Sequence, residues 1–596
     1  MSGAPAEPLR PKDVARVLSE IAALGELNGM DSFRIRAFQN ASRLLEGTDA
    51  DLELLAREDR LTTLKGIGAG LSGVVSELVL TGRSTPYDEL RAATPVGLFD
   101  LMRIPGLGTK RIRIIHEKLD VDSLDSLEQA GREGKIAALS GFGAKTEAKI
   151  LEGIEFARSI GERRRYPDAL RTAVQMLEWL NGRKEVLSAE IVGPLRRRME
   201  VVDRVDLLAA TEESEALIGA FVGLNGITAG EPAAEWPGVV EGKLADGVHV
   251  RLRCVAPEAF VSASVWETGS GAHLAQLEER AVRKGLTFSE NGLWKGSRRV
   301  TLPDEAALYT ALDLQYLPPE LREGLGEVAL AAEGEIPDLL EVADLTGTFH
   351  CHTTYSDGKA TVEEMAEAAR ALGWGYLGLA DHSRSAGYAG GLTVERVHRQ
   401  HEEIDRLNTG WRAADGESVF RIFKGIESDI LADGRLDYPP KVLASFDYLV
   451  GSVHSGFRSS SEEMTERIMT AVRNPALTIL GHPTGRLLLR RDGYPVDIRA
   501  VIEAASEAGV VIEINANPNR LDLDWRDVRY AVDLGILIAI NPDAHSVREL
   551  ENVAFGVNMA RKAGLTPQQV LNCWSLREIE EYFAERKRKQ QEVPGS

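Results

Sequence analysis

Cysteine is scarce in this chain: among 596 residues there are only Cys254, Cys351 and Cys573. Three thiols so far apart make no disulfide framework, and such scarcity fits a reducing compartment. Long hydrophobic runs are lacking as well. No stretch reaches the roughly 18 apolar residues that a membrane helix needs, and the opening MSGAPAEPLRPKD has no apolar signal core. The expectation is a cytoplasmic protein without membrane association. Positive charge is in deficit, with 70 Lys and Arg against 91 Asp and Glu and a net charge of −21. That balance excludes a surface that attracts polyanions everywhere. The deficit is uneven, because acids and bases nearly cancel in residues 1–165 and the acidity lies beyond them. A local phosphate contact in the first part stays compatible with the composition.

Three short patterns recur in that nearly neutral part: LKGIGAGLSGVVSELV (64–79), LMRIPGLGTKRIRIIHEKL (101–119) and LSGFGAKTEAKILEGI (139–154). Each is an apolar residue, a G-x-G turn and a helix. The glycine pairs are Gly66 and Gly68, Gly106 and Gly108, and Gly141 and Gly143. Glycine permits the positive φ of a tight turn, and the free N–H groups at the following helix start can hold a phosphate oxygen. Lys110, Arg111 and Lys145 follow the second and third turns. The second copy is the most basic and the best candidate DNA contact; the first has the fewest cations.

The densest chemistry lies in the C-terminal half, at TGTFHCHTTYSDG (346–358). His350 and His352 are two apart, so on a strand they point to one face. With Asp357 they start a metal site. Strand alternation turns Cys351 away from it. Further apolar runs each stop at a ligand-type residue: YLGLADHS at Asp381 and His382, FRIFKGIESD at Glu427, FDYLVGSVHS at His454, LTILGHP at His482, and ILIAINPDAHS at Asp543 and His545. Segments of helical period lie between them. Strands alternating with helices predict a parallel sheet, and closing it into a barrel would gather every strand end at one rim. His398 and His401 fall on a predicted helix without ligand partners and are expected to face solvent.

These motifs, HxHxxxxSDG, ADHS, GIES, GSVHS, GHP and NPDAH, resemble the PHP family, the polymerase and histidinol phosphatase domain, over roughly residues 345 to 580. The resemblance implies a distorted (β/α)7 barrel holding three divalent metal ions. It places His350, His352, Glu427 and Asp543 on one metal, Glu427, His454 and His482 on a second, and Asp357, His382 and His545 on a third. Imidazole-rich ligation suits zinc or manganese. Arg384 and Arg486, just after two of the motifs, are candidates for binding phosphate.

The rest of the chain resembles the family X DNA polymerases. Val14–Glu46 is similar to their small N-terminal domain, and the three glycine turns to helix-hairpin-helix motifs that grip DNA backbone. The family's Schiff-base lysine has no counterpart: the matching position is Val74, so deoxyribose-phosphate lyase activity is not expected. GPLRRRMEVVDRVDLLAA (193–210), TGSGAHLAQLEERAVRKGLTFSENGLW (268–294) and LQYLPPELREGLGE (314–327) are similar to the palm and thumb. Nucleotidyl transfer needs carboxylates for two metal ions. Of the family's three, only Asp206 remains, with Arg204 and Arg251 at the other two positions and Pro194 in place of a triphosphate-binding serine. Asp203 is three residues from Asp206 and cannot share its face of a strand.

The expected organisation is multidomain. Residues 1–90 form a small helical DNA-binding domain, 91–165 a fingers-like helical region, and 166–320 an α+β nucleotidyltransferase-like palm and thumb. Residues 321–345 are a linker, 346–580 the α/β PHP barrel and 581–596 a polar tail. The two halves are expected to lie close without sharing one core. The resemblance implies 3′–5′ exonuclease action and 3′-end processing in DNA repair, on gapped, nicked or 3′-ended duplex, by a monomer. Three other readings compete: an active polymerase with exonuclease, a small-molecule phosphatase, and a non-catalytic DNA-binding scaffold.

Overall fold

The computed structural model describes residues 11–592 except 47, 49, 103, 105, 162, 225, 230–237, 245–246 and 416–419. Most of the opening segment read for an export signal, and residues 593–596 of the tail, lie outside the described residues. The chain forms two compact units, Met1–Gly161 and Glu162–Ser596.

The first unit is helical. One apolar cluster gathers Val14, Leu18, Ile21, Phe38, Leu61 and Val75, and a second gathers Leu98, Leu101, Ile112, Ile115 and Ile154. The three G-x-G turns share one geometry. Gly66, Gly106 and Gly141 take φ of +108°, +78° and +85°. Gly68, Gly108 and Gly143 then precede the helices Ala69–Thr81, Thr109–Leu119 and Ala144–Ile160, with no side chain capping them. Nothing lies within 4 Å of where a Cβ would stand on any of these three capping glycines. The first N–H groups of each helix thus have no side-chain cap, a role that an anion can take.

The second unit holds a mixed five-stranded sheet in the order Ser188–Val192, Val205–Ala210, His249–Val255, Val239–Leu244, Ile227–Ala229. The helix Tyr166–Asn181 covers it with Ala169, Ala173, Met176 and Leu180. Residues 263–336 add a smaller helical and three-stranded lobe around Leu277, Phe288, Leu308 and Tyr309.

Beyond Leu345 the strands are parallel and alternate with helices. Gly347–Thr348, Tyr376–Gly378 and Arg421–Phe423 form one sheet; Glu427–Asp429, Val450–Ser452, Ile479–Leu480, Val511–Asn515 and Ile538–Asn541 form another. Arg421–Phe423 and Glu427–Asp429 are two parts of one strand interrupted at Lys424–Ile426, which makes seven. A bridge between His382 and Glu427 joins the sheets, and one between Cys351 and Ala544 closes first strand to last. The interior is filled by Phe349, Tyr376, Phe423, Tyr448, Ile479 and Val511. The Tyr448 hydroxyl, which donates toward both Phe349 O and Leu379 O, is satisfied within it at 2.6 and 2.7 Å.

Two expectations fail in this domain. The polar tail read over 581–596 is helical through Glu592, as part of Leu576–Glu592. Phe583 is 3% exposed and stacks on Tyr448, and Arg586 donates to Leu477 O at 2.6 Å. The aromatic pair Tyr582–Phe583 supplies the anchor that the surrounding charges hide. His401, expected in solvent, is buried edge-on to Phe446, and burial pulls its imidazole down to about 4.

The palm-like segment and the smaller lobe both meet the barrel through charges. Lys562, with no side-chain exposure, pairs with Glu323 at 2.6 Å, donates to Arg197 O and lies 4.7 Å over the Trp525 ring. Arg561 and Arg198 both pair with Glu320, at 2.8 and 3.0 Å, and Arg526 pairs with Glu200 at 3.3 Å. The apolar clusters on the two sides stay distinct, with Phe555 the bridge between them.

Candidate metal centre and palm site

Six of the seven barrel strands lead into a ligand-type side chain that the sequence placed there, and the nine side chains converge. Glu427, 1% exposed, is the hub. Its carboxylate oxygens lie 2.8 Å from His382, 2.9 Å from His482, 3.2 Å from His454, 3.4 Å from His350 and 3.8 Å from His352. Asp543 lies 3.1 Å from His352 and 3.7 Å from His350; Asp357 lies 3.4 Å from His545 and 3.6 Å from His382. Three sets have ligand atoms close enough to share an ion: His352, Asp357, His382 and His545; His350, His352 and Asp543; His382, Glu427 and His454. They overlap the three sets implied by the resemblance without matching them. His352 and His382 each fall in two, and His482 is reached only through Glu427.

Backbone strain marks the same place. His482 and Asp543 adopt φ of +25° and +51°, costly for residues with a Cβ. In the SDG turn only glycine fits at 358, since a Cβ would meet the His352 carbonyl at 2.6 Å. The donor set fits divalent cations. His350 Nε2, His352 Nδ1, His482 Nδ1 and Glu427 Oε2 are buried without an aligned hydrogen-bond partner. Orphaned lone pairs at a carboxylate ringed by imidazoles are what a metal ion satisfies.

Charge divides the imidazoles. Burial opposes a proton on His350, but Glu513, Glu427 and Asp543 outweigh it and hold that ring well above the ordinary histidine range. Burial and the neighbouring His545 and His382 push His352 down to about 3. Against burial, Glu427 and Asp429 hold His454 up at about 10, and Asp357 and Asp543 hold His545 at about 9. Burial raises the carboxyl of Asp357, yet the three imidazoles around it bring it to about 2.

Several contributors escaped the sequence reading. Glu513, fully buried, accepts from His350 Nδ1 and from the His482 backbone N–H, both at 2.7 Å, and so orients two ligands. Its signal was an acid inside the apolar run VVIEIN. Asp429 accepts from His454 Nδ1 at 2.6 Å, two residues beyond Glu427 on one strand. Asp381 is not a ligand: it accepts from Thr353 N–H and Oγ1 and from Gln400, pinning the turn after His352. Arg486 is corrected. It is committed to Asp524 at 2.7 Å and to the carbonyls of Arg520 and Leu521, so it is spent inside the domain. Arg384 remains exposed near the cluster, 3.7 Å from Asp437. Arg520, unpredicted, lies 3.6 Å from Asp543, and Tyr388 has its ring 6.1 Å from that of His382.

The palm shows a different balance. Asp206 and Arg251 are register partners on adjacent parallel strands. Arg204 pairs with Asp206 at 2.7 Å and Arg251 approaches it at 3.7 Å. Arg251 also pairs with Glu267 at 2.5 Å, and Arg253 shares that carboxylate. Pro194 opens the turn after Gly193, whose missing Cβ would meet Asp206 Oδ2 at 2.6 Å. Asp203 points away and pairs with Arg163. Among the described residues, every group of three or more ligand-type side chains lies in the barrel domain. In the first unit Lys110, Arg111 and Lys145 are exposed, with Arg111 over the Phe142 ring.

Comparison with known proteins decides the family. The chain is 35% identical to the DNA polymerase/3′-5′ exonuclease PolX of Bacillus subtilis over 577 residues, 96% of this chain and 99% of that one. The chain belongs to the PolX family. Family models agree along its length: a helix-hairpin-helix domain at 10–84, a SAM-like helix-hairpin-helix tandem at 99–155, the DNA polymerase beta thumb at 263–323 and a PHP domain at 348–517. A probable phosphatase of Thermoanaerobacter sp. is 32% identical over 28% of this chain and 70% of its own length. A solved chain of Leishmania infantum polymerase beta is 18% identical with a TM-score of 0.25, covering 38% of this chain and 98% of that one. As a PolX-family member with a PHP domain, the chain is a divalent-metal-dependent, DNA-binding protein. No helix among the described residues is long and apolar enough to cross a membrane.

Proposed function

We propose that this chain is a 3′–5′ exonuclease that processes DNA ends in repair, working as a cytoplasmic monomer, and that its palm no longer polymerises. The observation that carries the nuclease reading is the Glu427 carboxylate ringed by five imidazoles, with Asp543 and Asp357 on either side. Such a donor set suits up to three zinc or manganese ions, which when bound lower the pKa of a water and neutralise phosphoryl oxygens. The chain's own residues do the rest. Glu513 and Asp429 fix the tautomers of His350 and His454 so that their other ring nitrogens face the centre. Arg520 and Arg384 supply positive charge at the rim for the strand's phosphates. In the net reaction a water oxygen bonds to phosphorus, and the bond from phosphorus to the preceding O3′ breaks. That oxygen takes up a proton from the water, and a 5′-mononucleotide leaves.

Loss of polymerisation follows from charge. A divalent ion at Asp206 would stand a few ångströms from two guanidinium groups. At 4 Å and an effective dielectric constant near 20, each pair of like unit charges costs about 4 kcal/mol. The ion pairs from Arg204 and Arg251 also occupy the one carboxylate left.

The test uses a 3′-labelled duplex with manganese, with and without nucleotides, comparing wild type and His352→Ala. Mononucleotide release by wild type, loss of release in the variant and extension by neither are expected. Nucleotide-dependent extension would restore the active-polymerase reading. Hydrolysis of a phosphorylated amino alcohol but not of DNA would make the chain a small-molecule phosphatase.

A further inference from the structure

At the mouth of the metal centre one aromatic side chain is displayed to solvent. Tyr388 is 74% exposed, yet its ring lies 6.1 Å from that of His382 and 6.4 Å from that of His454, tilted to both. An isolated exposed aromatic is ordinary on a protein surface. This one is held out by a fixed turn. Its neighbours Ala386 and Ala389 are 0% and 3% exposed, so the chain on either side is anchored in the domain. Ser385 N–H donates to Asp437 at 2.6 Å, and the Ser385 hydroxyl donates to Asp429, the residue that also orients His454. Arg396 donates to Gly390 O at 2.7 Å, and Gly391 approaches Ser383 O so closely that a Cβ would stand 1.9 Å from it. The turn that carries Tyr388 is therefore tied to the same strands that carry the ligands.

Arg520 pairs with Asp543, 3.6 Å from its Nε and itself among the clustered ligand-type side chains. An aromatic face against His382 and His454 and a cation against Asp543 thus both stand at the same cluster of ligand-type side chains.

We propose that Tyr388 is the stacking platform for the terminal nucleobase of the strand being shortened, with Arg520 beside the phosphate it carries. The inference rests on the exonuclease reading and deepens it. A phosphoryl group at the centre leaves the nucleoside on one side of it, within reach of a ring that touches two of the ligand imidazoles. Every base has a π-face, so such a platform grips any terminal nucleotide without reading its sequence. It also distinguishes a nucleotide from a small phosphate ester that has no base to stack.

Binding of the product separates this idea from the nuclease reading. Manganese-loaded wild type, Tyr388→Ala, Tyr388→Phe and Tyr388→Trp are titrated calorimetrically with deoxyadenosine 5′-monophosphate and with deoxyribose 5-phosphate. Stacking on an aromatic contributes about 1–3 kcal/mol per base, so wild type should prefer the nucleotide by about 5- to 150-fold. Tyr388→Ala should erase that preference while leaving deoxyribose 5-phosphate binding as it was. The Phe and Trp variants should keep it. A preference that survives in Tyr388→Ala, or a wild type that does not distinguish the two ligands, overturns the proposal. Because the readout is affinity, a protein that degrades no DNA would sink the exonuclease reading while still answering whether Tyr388 holds a base.

Discussion

Glu513 offers the sharpest quantitative test of how the centre is held together. Its two oxygens accept four donors. Oε1 takes His350 Nδ1 at 2.7 Å and Asn541 Nδ2 at 2.9 Å; Oε2 takes the His482 N–H at 2.7 Å and Asn515 Nδ2 at 3.2 Å. Glu513→Gln keeps the volume but replaces one acceptor oxygen by an NH2 group. Whichever way the amide turns, its donors face either the imidazole N–H or the backbone N–H of a ligand residue. The two asparagine amides can find other partners; the ring and the backbone cannot. One buried donor left unpaired costs about 1–3 kcal/mol, or about 5- to 150-fold in affinity, in line with the 10–100-fold expected for outer-shell partners of metal ligands. The assay is competition for manganese or zinc against a chromophoric chelator, with metal-free melting curves to confirm folding. Weakened metal binding with nuclease activity restored at high metal is the expected pattern. A variant that folds and binds metal as wild type does would refute the argument, because it would mean that Glu513 does not orient His350 and His482.

Two further predictions follow from charge. In the metal-free protein His454 and His545 are held protonated up to about 10 and 9. A metal ion must displace those protons, so apparent affinity should climb with pH between about 6 and 8, by up to tenfold per unit for each proton released. Asp357, at about 2, stays charged throughout and does not contribute. Chelator titrations at several pH values check this, and a flat profile contradicts it. In the first unit, Lys110→Ala with Arg111→Ala should weaken duplex binding independently of sequence. It should also reduce the salt dependence by about two phosphate contacts, measured by anisotropy over a salt series; an unchanged slope would remove the second glycine turn from the DNA surface.

The convergence of the candidate ligands was legible because their positions are encoded locally. A side chain at a strand terminus, or two residues along it, has a direction fixed by the pleat. That is why the sequence alone gathers His350 and His352, and the ends of five further apolar runs, on one rim. Loops carry no such code. Arg486 follows His482 closely, but the positive φ at His482 and the path beyond it lead the arginine to Asp524 instead. Arg520 and Tyr388 arrive from turns whose course no periodicity describes. Two misses were avoidable. His401 shares a helical stripe with Val397 and Ile404, both fully buried, so its spacing already placed it inside. Glu513 is an acid in an otherwise apolar strand, which rarely stays buried without partners. The resemblance put Arg251 at the position of the family's third carboxylate, and the fold sets it in register with Asp206 on the adjacent strand. Which acids the two arginines pair with is set by the fold: Arg204 pairs with Asp206, and Arg251 with Glu267.

The charged seam under the barrel has a mechanical result. Lys562 and Arg561 are sunk between two lobes, each against a glutamate of the other lobe. Rotating one lobe would drag unpaired charges out of register, at a cost of about 3–5 kcal/mol for each pair broken. The palm and the hydrolytic mouth thus behave as a single casting with a set gap. On the exonuclease reading proposed above, a frayed strand end held at the palm has to cover that gap by its own slack, so the number of unpaired nucleotides it can lend, rather than any hinge in the protein, would ration how often it is cut.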